Sequence, residues 1–215
     1  MLRTDGAAAK VFFDHDRRSP MTTDAHERLT ASVRRLIDVT IRTEVTEAAI
    51  ASAAEKIDSA TAQLSDALIP GSFGVQATPD GRSIASGNVL IGRRNPVAPP
   101  LTIHHGADGT VHTEFVLGAA YEGPPGHVHG GVCAMILDHV LGATAHLPGK
   151  PAVTGTLTLR YVRGTPLGRP LRASAHVDRI EGAKTFAVGH IAGADGVTVE
   201  AEGIFIHPRG GQRVG

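Results

Sequence analysis

Only one cysteine and no tryptophan occur in the 215 residues, and aromatic side chains make up 4% of the chain. A lone thiol, Cys133, excludes an intrachain disulfide and any zinc site built on cysteine pairs. Without tryptophan, a core has to rest on valine, leucine, isoleucine and alanine. Charge imbalance is missing too, since 21 Lys and Arg stand against 21 Asp and Glu. Nucleic acid and anionic membranes call for a broad basic field, so neither is an expected partner. No run of about 18 apolar residues occurs, and no membrane span is expected. The first residues hold no apolar core of signal-peptide length, so the default setting is reducing and cytoplasmic. There is no G-x-S-x-G elbow, which removes serine hydrolases of the α/β type. Gly149-Lys150 lacks the spacing and the following Ser or Thr of a phosphate-binding loop.

What is present falls into five stretches. Residues 1–22 read as a loosely packed tail. Residues 23–69 form a helical extension, because Leu29, Val33, Leu36, Ile37, Ile41, Val45, Ile50, Ile57, Leu64 and Leu68 recur at steps of three and four. Pro70-Gly71 ends the pattern. Its length predicts a break or two helices, and its role is that of a packing or dimer-clasping arm. Residues 70–98 are rich in Gly, Pro and Ser and read as a linker lying over the surface. Residues 99–208 are the main domain, and 209–215 a second tail. Within the domain, LTIHH and TVHTEFVLG flank a GADG turn as a hairpin. A helix over 130–147 follows, apolar nearly all round. Four β-branched stretches after it read as an antiparallel meander. A helix apolar on every face must be wrapped by other structure. The expected class is α+β, a curved antiparallel sheet folded around one central helix with an N-terminal helical extension.

The start of that helix is where chemistry is expected. His129, Gly130 and Gly131 form its first turn, where unpaired backbone N–H groups and the macrodipole favour developing negative charge. Gly130 lets another molecule approach its N–H without a side chain in the way. This suits a carbonyl oxygen that becomes an oxyanion. Asp138 is an acid in an otherwise apolar stretch, about 13 Å along the helix and roughly 180° round it from His129. One chain cannot easily bring both to one substrate. Two antiparallel helices across a two-fold axis can, so a homodimer with two shared sites is expected, or a tetramer.

The motif YEGPPGHVHGGVCAMILDHVLG and the stretch TGTLTLRYVRGTPLGRPLRASAHVDRIEGAKTFAV resemble the PaaI-type acyl-CoA thioesterases of the hotdog-fold superfamily. They are similar to the branch that contains the carboxyl-terminal modulator protein thioesterase. The resemblance spans roughly residues 95–208. It implies hydrolysis of acyl-CoA to free acid and CoA, with no metal and no cofactor beyond the coenzyme A of the substrate. It implies that Gly130 polarises the thioester carbonyl, with Gly131 in the same substrate-binding turn. Asp138 from the partner chain acts as general base or nucleophile, and Thr154 positions the acid or the water. His129, a further catalytic-site candidate, is expected either to orient the loop as a hydrogen-bond donor, the favoured reading, or to contact the thioester itself. Arg163 is the best candidate for the phosphates of coenzyme A, within a cluster of Arg160, Arg169 and Lys150. Gly142 reads either as close helix–sheet packing or as room for the pantetheine or acyl chain.

Other constellations are weaker. Cys133 stands one helical turn from His129, but in VCAMIL it reads as a small buried side chain. His127, His129, His104, His105 and His112 form pairs without a carboxylate to complete a metal set. The rival functions are an acyl-thioester dehydratase on the same fold, and a non-catalytic acyl-CoA-binding regulator.

Overall fold

The apolar stripe that begins at Leu29 folds as two helices, α1 (Ala25–Arg42) and α2 (Glu47–Ser65). The break falls at the β-branched stretch 43–46, where the Thr46 hydroxyl caps α2 by accepting the Ala49 N–H at 3.4 Å. The computed structural model describes residues 25–77, 83–146 and 151–207, so the tails 1–22 and 209–215 lie outside the described residues. Among these, no helix is long and apolar enough to cross a membrane.

A short antiparallel pair, β1 (Gln76–Ala77) and β2 (Ser83–Ile84), precedes an irregular segment. This segment was expected to lie over the surface as part of a linker. Instead, Leu90 and Ala98 are buried in the core together with Leu101. The reason is local bonding. The Asn88 side chain accepts the N–H groups of Leu90 and Ile91, and the Asn95 side chain accepts that of Val97. These turns point apolar side chains inward.

The domain proper then runs β3 (His104–His105), β4 (Val111–Phe115), a 3-10 turn (Ala119–Tyr121), α3 (Gly130–Ala145), β5 (Val153–Tyr161), β6 (Leu171–Glu181), β7 (Lys184–Gly193) and β8 (Gly196–Ile206). The six strands from β3 onward form one antiparallel sheet in the order β3-β4-β6-β7-β8-β5. The expected meander of four is therefore a meander of three. Strand β5 does not pair with β6 but crosses to the far edge beside β8. Its exit explains why. The turns after β6 and β7 are two-residue hairpins, at Gly182-Ala183 and Ala194-Asp195. Residues 162–170 instead carry Pro166 and Pro170, and they bond back onto the loop before α3. Thr165 accepts the Val128 N–H, Gly126 that of Leu167, and Leu117 that of Gly168. The chain is thus drawn across the end of α3 before β6 begins.

Helix α3 lies in the curve of this sheet. Cys133, Ile136, Leu137, Val140 and Leu141 are all buried against Ala173, Ala175, Ala187, Ile191, Val199, Ala201 and Phe205. Small strand residues let the helix come close. A Cβ at Gly189 would stand 2.8 Å from Leu141 Cδ1. Each buried Leu or Ile contributes about 1.5–3 kcal/mol by leaving water.

Candidate active site

The loop that leads into α3 is tied at both ends. Val128 N–H is held by the Thr165 carbonyl, and His129 N–H donates to the Tyr121 carbonyl at 2.9 Å. His129 is the N-cap, with extended backbone angles of φ −60° and ψ 134°. Its ring Nδ1 accepts the Gly131 N–H at 3.0 Å. Its carbonyl accepts the N–H groups of Val132 at 2.9 Å and Cys133 at 3.3 Å. A helix begins with four N–H groups lacking helical acceptors. His129 gives its own to the Tyr121 carbonyl and accepts those of Gly131 and Val132, while the Cys133 bond is the first regular one of the helix. The fourth, Gly130, has no acceptor among the described residues. The imidazole was expected as a donor and is an acceptor at Nδ1, which leaves the proton of the neutral ring on Nε2.

Gly130 has a neighbour that the sequence reading missed. The Tyr161 hydroxyl donates to the Gly130 carbonyl at 3.0 Å, and a Cβ on Gly130 would meet the Tyr161 ring at 3.2–3.3 Å. A larger residue here presses on a side chain of the same molecule, which has to shift by a few tenths of an ångström. The signal was an aromatic, in a chain with only two tyrosines, alternating with Leu157 and Leu159 on the strand that follows the helix.

Asp138 is half-buried on α3, and Thr154 Oγ1 donates to its Oδ1 at 2.8 Å. That contact depends on an irregularity in β5. Leu157, Leu159 and Tyr161 pair with Gly203, Ala201 and Val199, on the helix side of the sheet. Simple alternation puts Thr154 on the opposite side. The register shifts by one residue between Thr154 and Thr156, so Thr154 pairs with Phe205 and turns towards α3. Gly155 is the extra residue, and a Cβ on it would stand 2.7 Å from Ile206 Cδ1. Within one chain, Gly130 and Asp138 remain about 12 Å apart along the helix. Strand β5, which carries both Thr154 and Tyr161, is the open edge of the sheet, and most of its residues are exposed.

The remaining candidates separate. Arg163 Nη1 donates to the Asp195 carbonyl at 2.5 Å, which places it beside the β7–β8 turn. Arg160 instead pairs with Glu200, a partner on the face of the sheet away from the helix. Lys150 lies outside the described residues. Gly142 sits against Phe205, whose Cε1 would be 3.3 Å from an added Cβ, so close packing accounts for it. Cys133 is buried, its Sγ bonds Thr165 Oγ1 at 3.6 Å, and burial pushes its thiol pKa up. It has no bond to the His129 ring. The His127 Nδ1 faces the Pro125 carbonyl at 2.9 Å. His104 and His112 stack at 5.1 Å, and no group of three or more His, Cys, Asp or Glu poised to hold a metal ion occurs among the described residues.

With this geometry in place, relatives can be compared. The thioesterase superfamily model matches residues 125–208. Acyl-coenzyme A thioesterase THEM4 of Xenopus laevis is 36% identical over 94 residues, which is 43% of this chain and 42% of the relative. Acyl-coenzyme A thioesterase THEM5 of Homo sapiens is 30% identical over 94 residues, 43% of this chain and 38% of the relative. The chain thus matches about two-fifths of the length of these curated relatives. A crystal structure of a thioesterase superfamily protein superposes with a TM-score of 0.76 at 35% identity, covering 86% of this chain and 96% of the other. That coverage is more than residues 99–208 alone can supply, so it extends into the segment before the domain. The chain belongs to the thioesterase superfamily, and its domain is a hotdog fold.

Proposed function

We propose that this protein hydrolyses acyl-CoA thioesters to a free acid and CoA, as a dimer whose α3 helices lie antiparallel. The thioester carbonyl oxygen rests on the Gly130 N–H, with Gly131 in the same turn. Water attacks the carbonyl carbon while the carboxylate of Asp138 of the partner subunit takes its proton. The oxyanion of the tetrahedral intermediate is held by Gly130 N–H at the positive end of α3. Collapse breaks the C–S bond, and the proton on the carboxyl passes to the leaving thiolate. Thr154 orients the carboxylate throughout, and Arg163 offers its guanidinium to the phosphates of coenzyme A. A thioester is already activated, so a base worth about 10²–10⁴ and one donor worth about 10²–10³ carry much of the task.

The observation that carries this reading is the division of amides at the start of α3. His129 accepts those of Gly131 and Val132, its own goes to Tyr121, and Gly130 is left for something from outside. The names of the two curated relatives supply the substrate class. The test is a free-thiol assay over acyl-CoAs of graded chain length and aromatic type. Turnover lost in Asp138→Ala supports the reading. Binding without thiol release from any of them makes the protein a sensor. Enoyl product without free thiol from a hydroxyacyl-CoA makes it a dehydratase.

A further inference from the structure

The helical extension reaches the candidate site through hydrogen bonds joined by short pieces of chain. Arg34 of α1 donates Nε to the Ala98 carbonyl at 3.1 Å, and Nη2 to the carbonyls of Gly92 at 3.0 Å and Asn95 at 2.7 Å. Three carbonyls thus converge on one guanidinium, and residues 92–98 are wrapped around it. The next carbonyl in that wrap, Val97, accepts the Tyr121 hydroxyl at 2.7 Å. One turn along α1, the Asp38 carboxyl lies against the start of the 3-10 turn that ends in Tyr121, where a Cβ on Gly118 would stand 3.5 Å from its Oδ1. The Tyr121 carbonyl in turn accepts the N–H of His129 at 2.9 Å. His129 is the residue that leaves the Gly130 amide free.

The loop between needs such support. Gly118, Gly123, Pro124, Pro125 and Gly126 give it few side chains that could pack. An oxyanion donor acts at 2.7–3.1 Å from the oxygen it stabilises, and a displacement of 1 Å far from the chemistry can cost about a hundredfold in rate. Burying three carbonyls without partners is also costly, so Arg34 and the wrap form together. Lysine does not replace Arg34 here, because a single ammonium lacks the planar fork that reaches separated acceptors.

We propose that α1 is a positioning element of the active site, with Arg34 and Tyr121 as positioning residues that fix His129 and so aim the Gly130 N–H. This rests on the thioesterase reading of the site. It assigns the extension a part in the chemistry of its own chain.

The experiment compares full-length wild type, Arg34→Ala, Arg34→Lys and Tyr121→Phe with the control Arg35→Ala, whose guanidinium bonds, among the described residues, only the exposed Ser32 hydroxyl. The first readout is kcat and KM on one acyl-CoA that wild type hydrolyses, taken well below each thermal midpoint. The second is hydrogen exchange at the Gly131 and Val132 amides. Arg34→Ala and Tyr121→Phe are expected to lower kcat about tenfold or more with KM within about twofold, and to speed exchange at both amides. Arg34→Lys does not restore the rate, and Arg35→Ala changes nothing. Should Arg34→Ala fail to fold, Tyr121→Phe decides, since it removes one hydroxyl and no volume. Folded variants with wild-type kcat and exchange overturn the inference. Wild type that releases no thiol overturns the thioesterase reading instead, and the exchange rates then still decide whether α1 fixes His129.

Discussion

The Thr154 hydroxyl and the Asp138 carboxylate, 2.8 Å apart, join the outermost strand of the sheet to the helix at its centre. The pair exists because Gly155 adds one residue to β5. The bulge turns Thr154 from the outer face to the helix face. An acid on a helix is free to choose rotamers. An acid held by a hydroxyl from a strand presents one oxygen to the strand and the other outward.

Asp138→Asn keeps the shape of this pair and removes the base. Thiol release is expected to fall by a factor on the order of 10²–10⁴, with the circular dichroism spectrum unchanged. Thr154→Val removes one hydrogen bond of about 1 kcal/mol, and the expected loss is roughly five- to tenfold. A Thr154→Val enzyme slower than Asp138→Asn contradicts the assignment of the base.

Gly130 is the first residue of α3, where proline fits the helix and lacks only the N–H. Gly130→Pro therefore deletes the proposed donor, although its ring has to displace Tyr161. Mixing Gly130→Pro chains with Asp138→Ala chains is expected to restore about a quarter of wild-type activity, from the one intact site of each mixed dimer. Demonstrated mixed dimers without recovery rule out a site shared between chains.

How far the sequence could be read depends on which physical signal each feature carries. Helix α3 was legible because its apolar residues occupy every face, which only a wrapped helix does. The order of strands was not. Adjacent strand-like stretches read as neighbours, and only the prolines and backbone bonds of residues 162–170 send β5 to the other edge. Asp138 stood out as a charge among apolar residues. Thr154 came from the resemblance, and strict alternation counted from Tyr161 would have rejected it, because a bulge leaves no trace beyond one glycine. Leu90 was hidden in a Gly- and Pro-rich stretch whose burial depends on Asn88 and Asn95 turning the chain.

Cys133 tests the alternative of a thiol nucleophile. Burial raises its pKa, so little thiolate forms in the folded protein at neutral pH. Iodoacetamide at pH 8 is expected to leave native protein unmodified and to label it once unfolded. Cys133→Ala is expected to keep its turnover within about twofold, as a small apolar replacement for a buried side chain. A folded Cys133→Ala protein without turnover would return the thiol to consideration.

Stability is expected to fall in mild acid. Burial lowers the pKa of His139 below the ordinary imidazole value of 6.5, outweighing the raising effect of Asp138. His105 and His112 shift the same way, again chiefly through burial. A lowered imidazole pKa means that the unfolded chain binds protons first. The folded state is then favoured most above pH 6.5, and the advantage is lost as pH falls from there through the lowered values. Thermal midpoints measured from pH 8 to pH 5 should decline, and His139→Gln should flatten the decline. A midpoint that rises on acidification would contradict the burial account.

The far-edge position of β5 also bears on the order in which the molecule can be made. Among the described residues its only strand partner is β8, in pairs that run from Tyr161–Val199 to Val153–Ile206. Contacts between residues so distant along a chain close slowly and late. A ribosome therefore delivers the glycine turn and its acid long before the strand that clamps the carboxylate has anything to pair with. The clamp between Thr154 and Asp138 is therefore expected to set late, once β8 is there to hold β5.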